Sequence, residues 1–150
     1  MILSDGEITL FPSTDTEYLL KLARTNKYTH CTEEELVKSL DYVKYAWNGY
    51  AGRTLSGIVY LCYLPRYDWW TLDAYKEDEL LKFINNKGDF SYRAGKLVID
   101  WFFKNVNSKT LYTVHERENR GATVVCKRLG FKESGFINDF IVLKNVSDGK

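Results

Sequence analysis

RENRGATVVCKRLGF, residues 117–131, is the segment on which the reading of this chain turns. Asn119 is a helix cap by type, because its side-chain oxygen accepts from backbone N–H groups two or three residues on. Ala122, Val125, Cys126 and Leu129 then fall on one apolar face, and Gly130 supplies the left-handed stop that glycine tolerates best. The spacing predicts a helix over 119–129. It puts a cysteine in the middle of the stripe that meets the core, where a thiol either packs as a small hydrophobe or does chemistry.

Outward from that helix the pattern alternates between the two periods. FKESGF and FIVLKN read as a closing pair of strands, and LYTVHE before the helix as another, with Leu111, Thr113 and His115 opposite Tyr112 and Val114. SYRAGKLVIDWFFK carries Ala94, Leu97, Val98, Trp101 and Phe102 at helical spacing, which predicts a helix over 91–104 capped by Ser91 or Asp89. KEDELLKFINNKG, ahead of it, reads as a short helix ended by Gly88.

WWTLDAY, residues 69–75, is a strand with Trp69, Thr71, Asp73 and Tyr75 on one face. YVKYAWN and TLSGIVYLCYL form an antiparallel pair around GYAGR, closed by Pro65. Near the start, EITLF is a strand ended by Pro12. A helix over 14–24 follows, with Thr14 and Glu17 as a capping box over Leu19, Leu20, Leu22 and Ala23. Another is expected over 32–41, with a Thr32–Glu35 box, a Cys31–Leu36 staple, and Val37 and Leu40 continuing the apolar face. The order is β, α, α, β, β, β, α, β, α, β, β.

Composition bounds the function. A chain of 150 residues without repeats or linkers reads as one domain, residues 1–150, able to bury a core without staples. With 21 Lys and Arg against 20 Asp and Glu, no net field draws it to nucleic acid or an anionic membrane. Cys31, Cys62 and Cys126 show no metal-binding spacing, so no metal is expected, and their odd number suits a reducing cytoplasm. Asp5 and Glu7 interrupt any secretory pattern at the N-terminus, and no apolar run nears the ~20 residues of a membrane span. Trp47, Tyr60, Tyr63, Tyr67, Trp69 and Trp70 crowd the middle strands, as a substrate pocket, as a stacking platform for bases, or as core. Only Arg66 is cationic between Val59 and Leu72, which disfavours nucleic acid.

The element order, the opening ITLFPSTDTEYLLKL, and Asn119-x-x-Ala122 running to Leu129-Gly130-Phe131 together resemble the GCN5-related N-acetyltransferases, the GNAT family, over nearly the whole chain. The resemblance implies an α/β (α+β) fold: a mixed, largely antiparallel sheet, splayed at its middle and flanked by about four helices. It implies acetyl-CoA as co-substrate, lying between WWTLDAY and LYTVHE, and acetyl transfer to a small-molecule or peptide amine by direct attack. Cofactor contacts are implied at Ala74 and Tyr75, at Tyr92, Arg93, Ala94, Gly95 and Lys96, and at Asn119 and Ala122. A helix N-terminus supplies the free N–H groups and positive potential a pyrophosphate needs, which makes SYRAGKLV the expected phosphate seat. Where the family writes Gln/Arg-x-x-Gly-x-Gly/Ala, this chain has Asp89, Tyr92 and Ala94.

Four residues beyond the motif's Ala, many members carry a tyrosine that reprotonates the coenzyme A thiolate; here that position is Cys126. Asp73 and Glu116, with His115, are the titratable groups nearest the expected cleft and so the candidates for the general base. Three readings follow: an N-acetyltransferase, with a homodimer left open; a GNAT fold that binds without catalysing; and a transferase acting on a nucleobase or a large partner, which the balanced charge disfavours.

Overall fold

The computed structural model describes residues 1–29, 31–77 and 87–147. His30 and most of the helix expected over 76–88 lie outside them.

Eight strands form one sheet: β1 (Leu3–Ser4), β2 (Ile8–Pro12), β3 (Val43–Ala51), β4 (Thr54–Leu64), β5 (Trp69–Lys76), β6 (Thr110–Glu116), β7 (Lys132–Ile137) and β8 (Phe140–Val146). The helices are α1 (Thr16–Thr25), α2 (Glu33–Ser39) with a 3-10 turn over Leu40–Tyr42, α3 (Lys87–Asn105) and α4 (Arg120–Arg128). Strand order is β1-β2-β3-β4-β5-β6-β8-β7. Every neighbouring pair is antiparallel except β5 and β6, which run parallel because α3 carries the chain back across the sheet between them.

Helix ends follow side-chain chemistry. Asn119 Oδ1 accepts from Ala122 N at 3.2 Å, and Gly130 takes φ +97°, as expected for α4. Thr32 and Glu35 form the full capping box of α2. Three expectations are corrected. Asp15, not Thr14, caps α1, its carboxylate accepting from Tyr18 N at 3.1 Å; the Asp sits at the residue where the backbone turns helical. Cys31 is exposed and makes no staple, and Val37 points to solvent while Leu36 turns inward. α3 begins at Lys87, so neither Ser91 nor Asp89 caps it and Gly88 lies within it.

Both faces of the sheet are covered. On one, α3 sets Phe90, Ala94, Val98 and Phe102 against Leu61 and Leu111 in the larger core, with Cys126 and Leu129 of α4 packed at its edge. On the other, Leu19 and Leu22 of α1 meet Ile58 and Tyr60 of β4. Glycine decides how closely α3 approaches: a side chain at Gly49 would strike the Phe90 ring, and one at Gly57 would run into the Tyr75 carbonyl oxygen. Phe90 fills the slot that these two glycines leave, which holds the start of α3 over the sheet next to the end of β5. At the edge of the larger core, Tyr45, Trp47, Trp70 and Trp101 form an aromatic cluster with contacting ring centroids 4.9–6.3 Å apart. No described helix is long and apolar enough to cross a membrane.

Candidate active site

β5 and β6 share a single register pair, Thr71 with Tyr112, although both strands continue beyond it. Backbone N–H and C=O groups alternate between the two sides of a strand, so part of the β5 backbone after Thr71 faces a neighbour that has already diverged. The core side of β5 opens there as well: Leu72 is buried under α3, and Ala74, two residues on, is exposed. The parting between these strands is where the family resemblance implied an acyl donor.

Asp73 sits on β5 at that parting, on the face away from α3. Tyr60 and Cys62 of β4 and Thr71 and Tyr75 of its own strand stand around it, and its field reaches Cys126 of α4. Its side-chain hydrogen bond comes from Thr71 Oγ1 at 3.5 Å, the long limit for such a contact, and among the described residues no lysine, arginine or histidine pairs with it. Part of its surface stays accessible inside a cavity, yet burial governs its titration and raises it from 3.8 to about 6. An ordinary strand-face aspartate on solvent would not behave so.

Cys126 reaches the same parting from the opposite layer. Burial pushes its thiol up to about 11, with the Thr113 hydroxyl opposing and the Asp73 charge adding to the rise. Thr113 Oγ1 is buried and has no oxygen or nitrogen partner. His115 faces α4 instead, its Nε2 lying 2.8 Å from Thr123 Oγ1, and burial lowers its pKa. It tethers β6 to α4, the role of a hydrogen-bonded strand-end residue. Glu116 is buried at the end of β6 and paired in register with Phe140.

The residues of SYRAGKLV are dispersed around α3. Tyr92 turns towards α4, where the Arg128 guanidinium lies 4.4 Å from its ring centroid. Arg93 points the other way and pairs with Asp5 at 2.7 Å and Glu7 at 3.1 Å. Ala94 is in the core, Gly95 lies so close to Leu129 that a Cβ would come within 2.8 Å of it, and Lys96 is exposed. Because α3 starts four residues before Ser91, the amides of residues 92–96 fall past the first turn, where N–H groups bond within the helix. Asn119 and Ala122 are joined to each other by the α4 cap.

On the α1 and α2 side, Asp73 opens into a cavity of about 330 Å³. Leu19 and Leu36 come from the helices, Tyr60 and Leu64 from β4, and Val114 and Ile137 from the far side of the parting. Tyr67 and Trp69 close one end with ring centroids 5.2 Å apart, and Trp69 stacks on Tyr112 at 4.3 Å and 16°. The aromatic crowding seen in the sequence thus divides: Tyr60, Tyr67 and Trp69 line the cavity, whereas Trp47 and Trp70 belong to the other cluster. Thr71, Val114 and Ile137 gave no signal in the sequence, since a threonine or an aliphatic residue on a strand reads as core in any sheet.

No protein-family model matches the sequence, and neither does any curated protein sequence. Solved structures match the fold over almost the whole chain. An acetyltransferase from Agrobacterium tumefaciens superposes with a TM-score of 0.75 at 16% identity, covering 96% of this chain and 93% of that one. A GNAT-family acetyltransferase from Bacillus anthracis gives 0.69 at 10%, covering 97% and 98%. Spermidine N-acetyltransferase from Vibrio cholerae, solved with coenzyme A and spermine, gives 0.70 at 18%, covering 95% and 97%.

Proposed function

From the premise of a GNAT-type acetyltransferase fold, we propose that this chain is an acyl-CoA-dependent N-acyltransferase moving the acetyl group of acetyl-CoA to a primary amine. The observation that carries the reading is Asp73, a carboxylate at the parting of β5 and β6 that has no cationic partner among the described residues. A thioester laid along that parting presents its carbonyl to the β5 backbone beyond Thr71, whose amides on the side of β6 polarise it and hold the oxyanion. The amine nitrogen attacks the carbonyl carbon, the tetrahedral intermediate collapses, the C–S bond breaks, and the electron pair leaves on sulfur.

Asp73 accepts the proton that the nitrogen gives up. The free amine has a higher proton affinity than a carboxylate of pKa about 6, but the apolar walls that raise Asp73 also make an ammonium more acidic; an acceptor bound as ammonium first loses one proton to solvent, and forming the C–N bond makes the second, which Asp73 takes, more acidic still. Cys126 is the wrong acid for the other transfer. At about 11 it gives up its proton less readily than the ~8.5 of an ordinary thiol, so delivering it to a leaving thiolate runs uphill. Water in the parting returns that proton, and Cys126 packs. Glu116 holds the end of β6 and stands second to Asp73 as base.

For the donor, Ala74 and Tyr75 offer the open stretch of β5, with Asn119 and Ala122 bordering it at the start of α4. Tyr92, Ala94 and Gly95 shape the α3 side. Lys96 supplies charge for the phosphates; Arg93 reaches them only by exchanging Asp5 and Glu7. A second reading, a GNAT fold that binds amines without transferring an acyl group, is favoured by α3, whose amides at 92–96 are already engaged within the helix. Calorimetric titration with acetyl-CoA and coenzyme A separates the two. Micromolar binding of both supports the transferase, and no binding at millimolar donor refutes it.

A further inference from the structure

We infer that the cavity beside Asp73 is the acceptor site and that it selects a primary monoamine carrying an apolar or aromatic tail. This rests on the acyltransfer reading for the reaction, but not for the binding.

Among the described residues that line the cavity, Asp73 is the sole carboxylate and none is cationic. The groups facing Asp73 are the Tyr60 and Cys62 side chains from β4, Thr71 and Tyr75 from its own strand, and Cys126 across the parting, and none of them carries positive charge. A half-buried carboxylate with no cation beside it among the described residues is an unfinished ion pair, and one ammonium completes it. Tyr60 and Tyr75, stacked at 6.1 Å and 27° beside Asp73, add ring faces of the kind that attract ammonium groups.

The same lining sets what the rest of the molecule is. Beyond Asp73 the described lining offers aliphatic side chains and the hydroxyls of Ser39, Tyr42, Tyr67 and Thr71 but no second carboxylate, so the other ammonium groups of a polyamine would be desolvated without an anionic partner. The carboxylate of an amino acid would meet like charge at Asp73. Tyr67 and Trp69 close the far end with ring faces suited to an aromatic or aliphatic tail. A volume of about 330 Å³ lies at the small end of ligand pockets, which run from roughly 300 to 1,000 Å³.

Three probes test this by calorimetry on the full chain at pH 8, with and without coenzyme A: 2-phenylethylamine, its uncharged counterpart 2-phenylethanol, and spermidine. The amine is expected to bind at least tenfold more tightly than either of the others. In Asp73→Asn its affinity should fall to that of the alcohol, whose own affinity stays unchanged and so shows the cavity intact. Equal or tighter binding of spermidine overturns the inference, as does wild-type protein that does not distinguish amine from alcohol or binds neither. Loss of acetyl-CoA binding with the amine preference intact would end the transferase reading alone. Acetyl-CoA binding without amine preference would end this one alone.

Discussion

At pH 7 the fold holds Asp73 ionised against the preference of its surroundings. Its pKa in the folded protein, about 6, lies above the ordinary value of 3.8, so the native state binds the proton more tightly than the unfolded chain does. The stabilisation is fully present below pH 4 and is lost as pH rises from about 4 to 6. A separation of this size is worth about 3 kcal/mol at most, and about 2 kcal/mol after allowing for the accessible part of the carboxylate. Asp73→Asn is therefore expected to gain about 2 kcal/mol in urea unfolding at pH 7 and little at pH 4, while turnover falls by roughly a hundredfold or more. A variant that is destabilised at pH 7 would show that Asp73 has a cationic partner in solution. Cys126 gives the reverse pattern. Cys126→Ala should cost about 1 kcal/mol through a small cavity and leave turnover within roughly threefold; a hundredfold loss at unchanged melting temperature would make the thiol the proton donor after all. Both residues were legible as candidates from their places on strand and helix. How far burial moves each of them was not, because that depends on neighbours from β4, β6 and α4.

Elements place these groups through a few local devices. The Thr32–Glu35 box fixes the start of α2, whose Leu36 roofs the cavity. Thr32→Ala should cost about 1 kcal/mol in thermal or urea unfolding and weaken amine binding several-fold, since a frayed α2 uncovers the apolar wall. Gly57 does the same for the sheet, where only a bare Cα lets β4 lie against the end of β5 with Phe90 above. In Gly57→Ala the new methyl meets the Tyr75 carbonyl, and a loss of about 3 kcal/mol in the same unfolding measurement is expected from the strain. The box is a sequence motif and was readable as one. The glycine was readable only as a weak point in a strand, because the atoms it makes room for come from β5 and α3. The early start of α3 was hidden for a similar reason: Ser91 and Asp89 look like caps, but the packing of Phe90 between β3 and β4 lets the helix run through them.

For the whole molecule the consequential feature is one parallel pair in an otherwise antiparallel sheet. Two halves, β1 to β5 and β6 to β8, each hold together by antiparallel ladders, and they meet at a single register pair. The parting brings the cavity on the α1 and α2 side next to the open stretch of β5 on the α3 side, which is the arrangement a two-substrate transfer needs. If Asp73 is the base, kcat/KM for an amine acceptor should rise with pH through about 6, because the carboxylate must be ionised in the free protein. A profile flat from pH 5 to 8 would exclude it. Lys96→Glu should weaken acetyl-CoA by on the order of 1 kcal/mol in calorimetry, the size of a charge-assisted phosphate contact in a partly exposed site, and unchanged affinity would place the phosphates away from the exposed side of α3.

Periodicity, caps and turn residues are local properties, and among the described residues they were enough to place the main helices and strands in order, the two-residue β1 excepted, and, through Asn119-x-x-Ala122 to Phe131, the fold they build. What tertiary structure alone decided is which groups stand together and which are already taken. Arg93 reads as a phosphate ligand in one dimension and is an ion-pair partner of Asp5 and Glu7 in three, 88 and 86 positions away along the chain. Asp73 reads in the sequence either as a candidate base or as a polar residue on a solvated strand face, and becomes a carboxylate of raised pKa because its desolvation is a sum over neighbours drawn from several elements.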